Sequence, residues 1–474
     1  MLGMTAVTSI LAKAPHSAEA TQSIPEQSSS DFIPERAPLS GPGSTYTPRI
    51  AAAFVRRKEE YGMWWPGAVY DGEAARRNYT AQIQEASGDL GIELQLRHDP
   101  IYSLEEAEQW IADAGRNKVD GLVVLLLDRQ QHAWPTVQMA AESHLPVIVF
   151  SPLGTSFTTN TIQLAHEPGC LIYSTDHFDQ AARGLKMLAA GARLKKSRCI
   201  VLQGDKRYEE LMPGLGTTLR YIPARTYIEE YQQVQETDEV VRLAQEYIDH
   251  ARLTEGPDRT DIIHGAKSYV AARTILQQEQ GDAITMDCLG TLADENISLP
   301  CLAWSRMNDS AIPAACEADI GAVASHMVVQ NLFDRPGFQQ DPVADTLHQS
   351  IIGAHCSSPL CLRGFGESPE PYDLRHHHGN RDAIPRPLWK EGQRVTSLDV
   401  LFDDETTFLI STGYVLRNEE VPPSGGCIVS VNVKFDGDQE ALTFPGFHQV
   451  FFYGDYKRQL QEFGQLFRLR TERV

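Results

Sequence analysis

The chain has 474 residues, 42% hydrophobic and 22% charged, which is typical of a globular protein with two to four domains. Its 63 acidic residues outnumber 42 basic ones, and the net charge of -21 disfavours nucleic-acid binding and suits a neutral small molecule or a metal cation. No apolar run is long enough to span a bilayer, so no membrane partner is expected, and the eight cysteines form no CxxC pair, which disfavours a zinc ribbon.

Residues 1–47 differ from the rest of the chain. An apolar run, LGMTAVTSILA, precedes the small-residue pattern Ala18-Glu19-Ala20 and then a stretch rich in serine and proline. Two interpretations stay open for this segment. It is either the remnant of an export signal that lacks its basic start, or a disordered tail.

Residues 48–160 alternate between strand and helix patterns and are predicted to form an N-terminal α/β domain. The predicted strands are RIAAAFVRR, IELQLRHDP, DGLVVLLL and LPVIVFSP. The continuous apolar run DGLVVLLL is typical of a buried parallel strand. Ligands of such sheets bind at the carboxyl ends of the strands, and Trp64 and Trp65 follow the first one. No GxGxxG or GxxxxGK[ST] motif is present, which excludes those nucleotide-phosphate sites.

Residues 161–342 are predicted to form a second α/β domain, and residues 343–474 an antiparallel β-domain with a terminal helix. The second domain contains the helix pattern DEVVRLAQEYIDHARL and the strand patterns CIVLQG and DAITMDC. The β-domain contains RVTSLDVLF, TTFLISTGYVL and GCIVSVNVKF, with turn residues between them. The predicted fold class is therefore α/β: two Rossmann-like parallel-sheet domains followed by a C-terminal antiparallel β-barrel-like domain.

The stretch from Pro300 to Pro342 holds the main candidate site. Glu317 and Asp319 directly precede an apolar helix pattern that begins at Ile320. Free N–H groups and partial positive charge at a helix N-terminus stabilise carboxylates there. Spacing alone allows a plainer interpretation, in which Asp319 is only an N-cap and Glu317 is a solvated loop residue.

Six short motifs lie in one order in the C-terminal half: NDSAIPAACEAD, GAHCSSP, RHHH, EGQRVTSLDVLF, GGC and HQVFFYGDY. Together they resemble the L-fucose isomerase / L-arabinose isomerase superfamily, and fucose-isomerase-like proteins in particular. The resemblance covers roughly Asp287 to Asp455. The N-terminal alternation of strands and helices is similar too, but it contains no motif specific to that superfamily.

The resemblance implies a divalent metal, usually Mn²⁺, held by two acidic residues and one histidine. It places an acidic ligand at Glu317 or Asp319 and the histidine ligand at His448, and it makes the same two carboxylates candidates for catalysis. In the superfamily an acid/base pair moves a proton between C1 and C2 of an open-chain sugar. Further substrate contacts are implied for His355, His376, His378, Trp64 and Trp65.

One position departs from the superfamily pattern. Thr291 stands where the first acidic residue is expected, and a threonine cannot serve as a carboxylate base. Either Asp287, Asp294 or Glu295 takes over that role, or the proton shuttle is absent.

Three function classes therefore stay open: an aldose–ketose isomerase, a glycoside hydrolase or lyase on the same scaffold, and a non-catalytic sugar-binding protein. The resemblance also implies a trimer or hexamer of identical subunits and a cytoplasmic location. The alternative interpretation of the first residues as an export signal implies the periplasm.

Overall fold

The computed structural model describes residues 32–58, 62–63, 70–129, 131–292, 297–377, 381–420 and 427–473. These residues form a mixed α/β fold, with a five-stranded parallel sheet in the N-terminal part and a curled antiparallel sheet in the C-terminal part, which confirms the coarse fold class. No helix within these ranges is long and apolar enough to cross a membrane. Trp64, Trp65, His378, Asp294 and Glu295 lie outside the described residues.

The first sheet belongs to the N-terminal part of the chain. The elements of this part are β1 (Arg49–Val55), β2 (Gly62–Met63), β3 (Tyr70–Asp71), α1 (Gly72–Asp89), β4 (Glu93–Leu96), α2 (Leu104–Arg116), β5 (Gly121–Leu126), α3 (Ala133–Glu142), β6 (Val147–Ser151), α4 (Thr158–Thr161) and β7 (Cys170–Ser174). The strands of the sheet are all parallel, in the order β4-β1-β5-β6-β7. β7 completes this sheet although it lies beyond residue 160, at which the sequence analysis ends the N-terminal domain.

Strand β5 is buried along its whole length because its two faces contact different helices. Val123 and Leu125 belong to a core cluster that includes Ile83 of α1. Val124 points the other way and belongs to a cluster that includes Trp110 of α2. Helices therefore cover both faces of the sheet, which is why the strand reads as a continuous apolar run.

The second sheet is formed by the middle of the chain. The elements of this part are α5 (Asp179–Lys196), β8 (Arg198–Leu202), β9 (Tyr208–Leu211), β10 (Thr218–Ile222), α6 (Arg225–Gln233), α7 (Asp238–His250), β11 (Leu253–Glu255), α8 (Arg259–Glu279), β12 (Ala283–Met286), α9 (Cys288–Leu292), α10 (Cys301–Asp309), β13 (Ala314–Cys316) and α11 (Ile320–Phe333). The sheet order is β13-β12-β8-β10-β9, with four parallel strands and an antiparallel edge strand, β9. The turn between β9 and β10 is too short for the crossover that a parallel pair needs.

The C-terminal part forms a larger antiparallel sheet and contributes to a small one. Its elements are β14 (Phe338–Gln339), β15 (Asp341–Asp345), β16 (Ser350–His355), β17 (Tyr372–His377), β18 (Arg381–Pro387), β19 (Arg394–Phe402), β20 (Thr406–Asn418), β21 (Val429–Phe435), a 3₁₀ helix (Ala441–Thr443), β22 (Val450–Tyr453), α12 (Lys457–Phe467) and β23 (Arg470–Arg473). The large sheet runs β14-β22-β19-β20-β21-β16-β15, with β23 added in parallel to β20. β11, β17 and β18 form a separate three-stranded sheet.

The end of the chain packs back onto the first sheet. The backbone N–H of Gly169 donates to the carbonyl of Gln465 at 2.8 Å, and Gln465 Nε2 donates to the carbonyl of Cys170 at 2.7 Å. Helix α12 and strand β23 therefore connect the C-terminal sheet to the N-terminal one.

Helix α11 lies between the second sheet and the large antiparallel sheet. Ten of its 14 residues are buried, as expected for a helix that is apolar on most of its faces. Ser325 Oγ accepts a hydrogen bond from the Val400 N–H in β19 at 3.1 Å. Because both sheets hold the helix, its N-terminal end occupies a fixed position between β13 and the turn before β22.

Asp309 is a buried carboxylate at the end of α10, and its burial makes the stability of the protein depend on pH. Its Oδ1 accepts the N–H groups of Leu360 and Cys361 at 2.9 and 2.7 Å, and burial raises its pKa to about 6. A carboxyl group whose pKa is raised on folding stabilises the protein fully below its unfolded pKa, and this contribution is lost as the pH rises through the folded pKa.

We therefore expect the unfolding free energy of the wild type, relative to Asp309→Asn, to fall by about 2 kcal/mol between pH 4 and pH 7. Urea unfolding of both proteins across this range measures the difference. Asp438→Asn alters an exposed carboxylate and is the matched control. A difference between wild type and Asp309→Asn that does not vary with pH would contradict the assignment.

Candidate metal centre

Glu317 is the first residue after β13 and lies in a strained turn. Glu317 and Ala318 both have left-handed backbone, with φ of 64° and 53°. Non-glycine residues adopt this conformation at a cost, and consecutive ones are held by surrounding structure. The Ala318 N–H donates to the carbonyl of Met286 at 2.8 Å, which fixes the turn to the end of β12.

His355 and His448 bring their imidazoles to the Glu317 carboxylate from two other strand ends. His355 Nε2, at the end of β16, is 3.7 Å from Glu317 Oε1. His448 Nε2, in the turn before β22, is 3.7 Å from Glu317 Oε2. One ligand atom from each of the three residues lies within 4.8 Å of the others. The histidine side chains are buried, whereas that of Glu317 is 34% exposed, so the group opens toward solvent on the glutamate side.

Asp319 contacts His448 on the side of the imidazole that faces away from Glu317. One of its oxygens, Oδ1, caps α11 by accepting the Ala322 N–H at 2.7 Å, as the plainer interpretation of the sequence expects. The other, Oδ2, is 2.9 Å from His448 Nδ1. A carboxylate in this place keeps a proton on Nδ1, so Nε2, which faces Glu317, is the nitrogen that would bind a metal ion once its own proton is displaced. Asp319 therefore lies behind the ligand atoms of the triad instead of among them.

Asp341 is a second carboxylate that the sequence analysis did not single out. Its Oδ1 is 3.0 Å from His448 Nε2, but the two atoms do not have hydrogen-bond geometry. Two ligand atoms that each lie about 2.1 Å from the same cation, at right angles around it, are also about 3.0 Å apart. Asp341 comes near the histidines because β15 and β16 form a hairpin in which position 341 pairs with Ala354, next to His355. The sequence alone does not give this register, so it carried no signal for Asp341.

The charges of the group affect one another. Burial lowers the pKa of His448, but its contacts with Asp319 and Asp341 outweigh burial and raise the pKa to about 10. The nearby imidazole of His355 lowers the pKa of Glu317. Burial raises the pKa of Asp341, yet the proximity of His448 and His355 leaves it below its usual value. The carboxylates of Glu317 and Asp341 are therefore ionised at neutral pH. They stabilise a positive charge beside them, either on a protonated imidazole or on a metal ion.

Asp399 supports the turn that carries His448. This carboxylate is 2% exposed, and its Oδ2 accepts the Phe447 N–H at 3.1 Å. Burial raises its pKa to about 7. Gly446 has a φ of 89°, and a Cβ at this position would lie 2.6 Å from Asp399 Oδ2. The close approach of Asp399 therefore requires glycine, and it helps to hold His448 at its left-handed φ of 56°.

The other residues proposed from the sequence lie elsewhere or are not described. His376 belongs to the three-stranded sheet, where its Nδ1 is 3.2 Å from the carbonyl of Asp382. His378, Trp64 and Trp65 are outside the described residues. Thr291 lies on α9, and Asp287 accepts the Gly290 N–H at 3.0 Å in the first turn of the same helix.

The donor set fits a divalent cation. Glu317, His355 and His448 offer carboxylate oxygen and imidazole nitrogen, which suit Mn²⁺, Fe²⁺ or Zn²⁺. In the part of the chain that is described, His448 Nε2 and Asp341 Oδ1 are buried and form an ion pair at 3.0 Å, without a hydrogen bond of good geometry. A metal ion that replaced the proton of His448 Nε2 would coordinate both atoms.

The sequence matches no family model and no curated protein. Among solved structures, the chain is similar to an ABC transporter solute-binding protein from Burkholderia multivorans that was solved with a ligand of unknown identity. The identity is 12%, the match covers 51% of this chain and 80% of that one, and the TM-score is 0.19. A TM-score this low carries no argument about fold or function.

Proposed function

We propose that the protein is a metal-dependent, sugar-active enzyme of the aldose–ketose isomerase type. The observation that carries the proposal is the convergence of Glu317, His355 and His448, from three separate strand ends, on one point. The resemblance to the L-fucose / L-arabinose isomerase superfamily supports the same reaction class. The proposal includes the finer fold assignment, with two Rossmann-like domains and a barrel-like domain, and an oligomer of identical subunits.

The residues have separate roles in this proposal. Glu317, His355 and His448 would hold the cation, which we expect to be Mn²⁺, with Asp341 as a fourth donor. The cation, when bound, polarises the sugar carbonyl and stabilises negative charge on the sugar oxygens. Asp319 is not a ligand in this scheme, because its contact with His448 Nδ1 gives it the role of fixing the imidazole.

The Asp341 carboxylate is a candidate for the acidic group that Thr291 replaces. Isomerisation needs a base within reach of the substrate carbon, and ionised Glu317 or Asp341 can accept that proton at neutral pH. Asp287, one of the replacements considered from the sequence, already accepts a backbone N–H in α9. Asp341 is therefore the better candidate for the missing acidic group.

Metal analysis combined with a sugar screen tests the proposal. Protein stripped with EDTA and reloaded with Mn²⁺ is incubated in D₂O with free pentoses and hexoses, and NMR follows ketose formation and deuterium uptake at C2. We expect turnover that depends on metal and is lost in Glu317→Gln, whereas Glu142→Gln, at an exposed glutamate, retains it. Release of reducing sugar from glycosides would select the hydrolase instead. Sugar binding that is unchanged after metal removal, without turnover, would overturn both enzyme proposals.

A further inference from the structure

Two pairs of cysteine thiols lie beside the metal centre without belonging to its ligand set. Cys288 contacts Cys316, the residue before Glu317, and Cys356 contacts Cys427, each thiol being within hydrogen-bond reach of its partner. All eight cysteines of the chain are free thiols. These four are therefore reactive groups that the proposed reaction does not use.

The pair Cys356 and Cys427 lies where two strands of the large antiparallel sheet end side by side. Cys356 directly follows β16, and Cys427 lies two residues before β21, whose first residue, Val429, pairs with His355. The Ile428 N–H is within hydrogen-bond reach of the Cys356 sulfur, which places that sulfur next to the chain at Cys427. Sulfur atoms already in contact need only a small movement to reach the S–S bond length of about 2.05 Å.

Access to solvent distinguishes the two pairs. Cys427 is partly exposed, whereas Cys356 is 3% exposed, so a reagent in solution reaches Cys427 first. Cys288 and Cys316 are 4% and 1% exposed, and neither offers such an entry. An accessible thiol with a buried thiol behind it is the arrangement of an attacking and a resolving cysteine. Cys356 and Cys427 are therefore the pair that a small oxidant can modify.

Each member of this pair adjoins the metal centre. Cys356 directly follows the ligand His355 in the chain, and Cys427 Sγ lies 4.0 Å from Asp341 Oδ2. A disulfide removes the Cys427 proton that faces Asp341 and displaces the residue that follows His355. Losing an outer partner of a metal ligand usually lowers metal affinity by about 10- to 100-fold. Oxidation of the pair is therefore expected to weaken the metal site.

We propose that Cys356 and Cys427 are a redox modification site, closed by a low-molecular-weight disulfide such as oxidised glutathione, and that closure weakens metal binding. The Cys427 sulfur attacks one sulfur of glutathione disulfide, and the departing glutathione takes the Cys427 proton. The Cys356 sulfur then attacks the mixed disulfide at Cys427 and releases the second glutathione, which takes the Cys356 proton. Two protein thiols are oxidised to one disulfide, and one glutathione disulfide is reduced to two thiols. The effect on the metal rests on the proposed metal centre, whereas formation of the disulfide does not.

Thiol counting and peptide mapping of the full chain test the modification. Protein freed of metal with EDTA is incubated with oxidised glutathione, its remaining thiols are alkylated after unfolding, and mass spectrometry identifies the products. We expect the loss of two of the eight thiols, a linkage between Cys356 and Cys427, and full recovery with dithiothreitol. A mixed disulfide at Cys427 that is never resolved, or a linkage between other cysteines in its place, would overturn the site.

Serine variants assign the two roles. In Cys356→Ser the mixed disulfide cannot be resolved, so one glutathione should stay bound per chain. Cys427→Ser should lose no thiol to the oxidant. Cys288→Ser, in the buried pair, is the matched control and should form the disulfide as the wild type does. Oxidation of Cys427→Ser to the same extent as the wild type would overturn the assignment of Cys427 as the attacking residue.

Competition with a fluorescent chelator measures the Mn²⁺ affinity before and after oxidation. We expect an affinity about tenfold lower in the oxidised wild type, full recovery after reduction and removal of the reductant, and no change in Cys427→Ser treated in the same way. An unchanged affinity in a wild type that carries the mapped disulfide would overturn the effect on the metal. If neither form binds Mn²⁺, the metal centre itself is overturned together with that effect, and peptide mapping alone decides the modification site.

Discussion

Replacing Asp319 by asparagine is expected to lower the affinity for Mn²⁺ by about 10- to 100-fold, the usual effect of losing the partner of a histidine ligand. The reason is the tautomer of His448. An asparagine whose Oδ1 still accepts the Ala322 N–H presents an amide N–H₂ where Asp319 Oδ2 now faces Nδ1 at 2.9 Å. Two donors cannot face each other, so the imidazole moves its proton to Nε2 and loses the lone pair that would bind the metal.

This substitution separates the two roles of Asp319. Asparagine caps helices as well as aspartate does, so α11 should remain intact and the unfolding midpoint should change little. Metal affinity is measured by competition with a fluorescent chelator, and circular dichroism confirms the helix content. Asp319→Ala removes both roles and serves as the comparison, with an additional loss of about 1 kcal/mol in stability. If Asp319→Asn binds Mn²⁺ as tightly as the wild type, Asp319 does not orient His448.

Replacing His448 by alanine should have a larger effect, with metal affinity reduced more than about 100-fold because a ligand is lost and not only its partner. The imidazole is also the group between the carboxylates of Asp319 and Asp341, at 2.9 and 3.0 Å. Without it these two negative groups lose their shared cation, and stability should fall with the metal affinity.

A second variant at this position distinguishes lost chemistry from lost folding. His448 has a φ of 56°, and asparagine tolerates left-handed backbone better than alanine does. His448→Asn should therefore fold more stably than His448→Ala and still lack the imidazole. The metal content of both purified proteins is measured by mass spectrometry. Full metal occupancy in either variant would remove His448 from the ligand set.

Much of the fold follows from local patterns in the sequence. The run DGLVVLLL predicts β5 because a strand covered on both faces is apolar throughout, and this strand is fully buried. Strand β23 could not be predicted, because its RTER sequence is polar and its pairing with β20 is a long-range contact. The antiparallel edge strand β9 was missed for a similar reason, since its four residues, YEEL, are all exposed and do not alternate between apolar and polar.

From the residues alone, the candidate site was predicted only where the relevant information is local, and His355 and His448 were proposed through the family resemblance. Glu317 and Asp319 stand before a helix pattern, and Asp319 does cap α11. The sequence does not show that its second oxygen reaches His448, 129 positions away, because that contact depends on how α11 packs beside the large sheet. Asp341 was missed because its position depends on the register of the β15–β16 hairpin, in which a slip by one residue would turn the side chain to the other face.

The left-handed residues Glu317, Ala318 and His448 have a consequence for engineering. The left-handed backbone at these positions is strained in residues other than glycine. Replacing Ala318 by glycine would relieve that strain, and it would be an obvious choice for raising the thermal stability in an engineering campaign. The same exchange would let the turn sample other shapes and move the Glu317 carboxylate away from the imidazoles. Heat resistance and metal retention should therefore be selected together in such a campaign, since a variant chosen for the first alone would tend to lose the second.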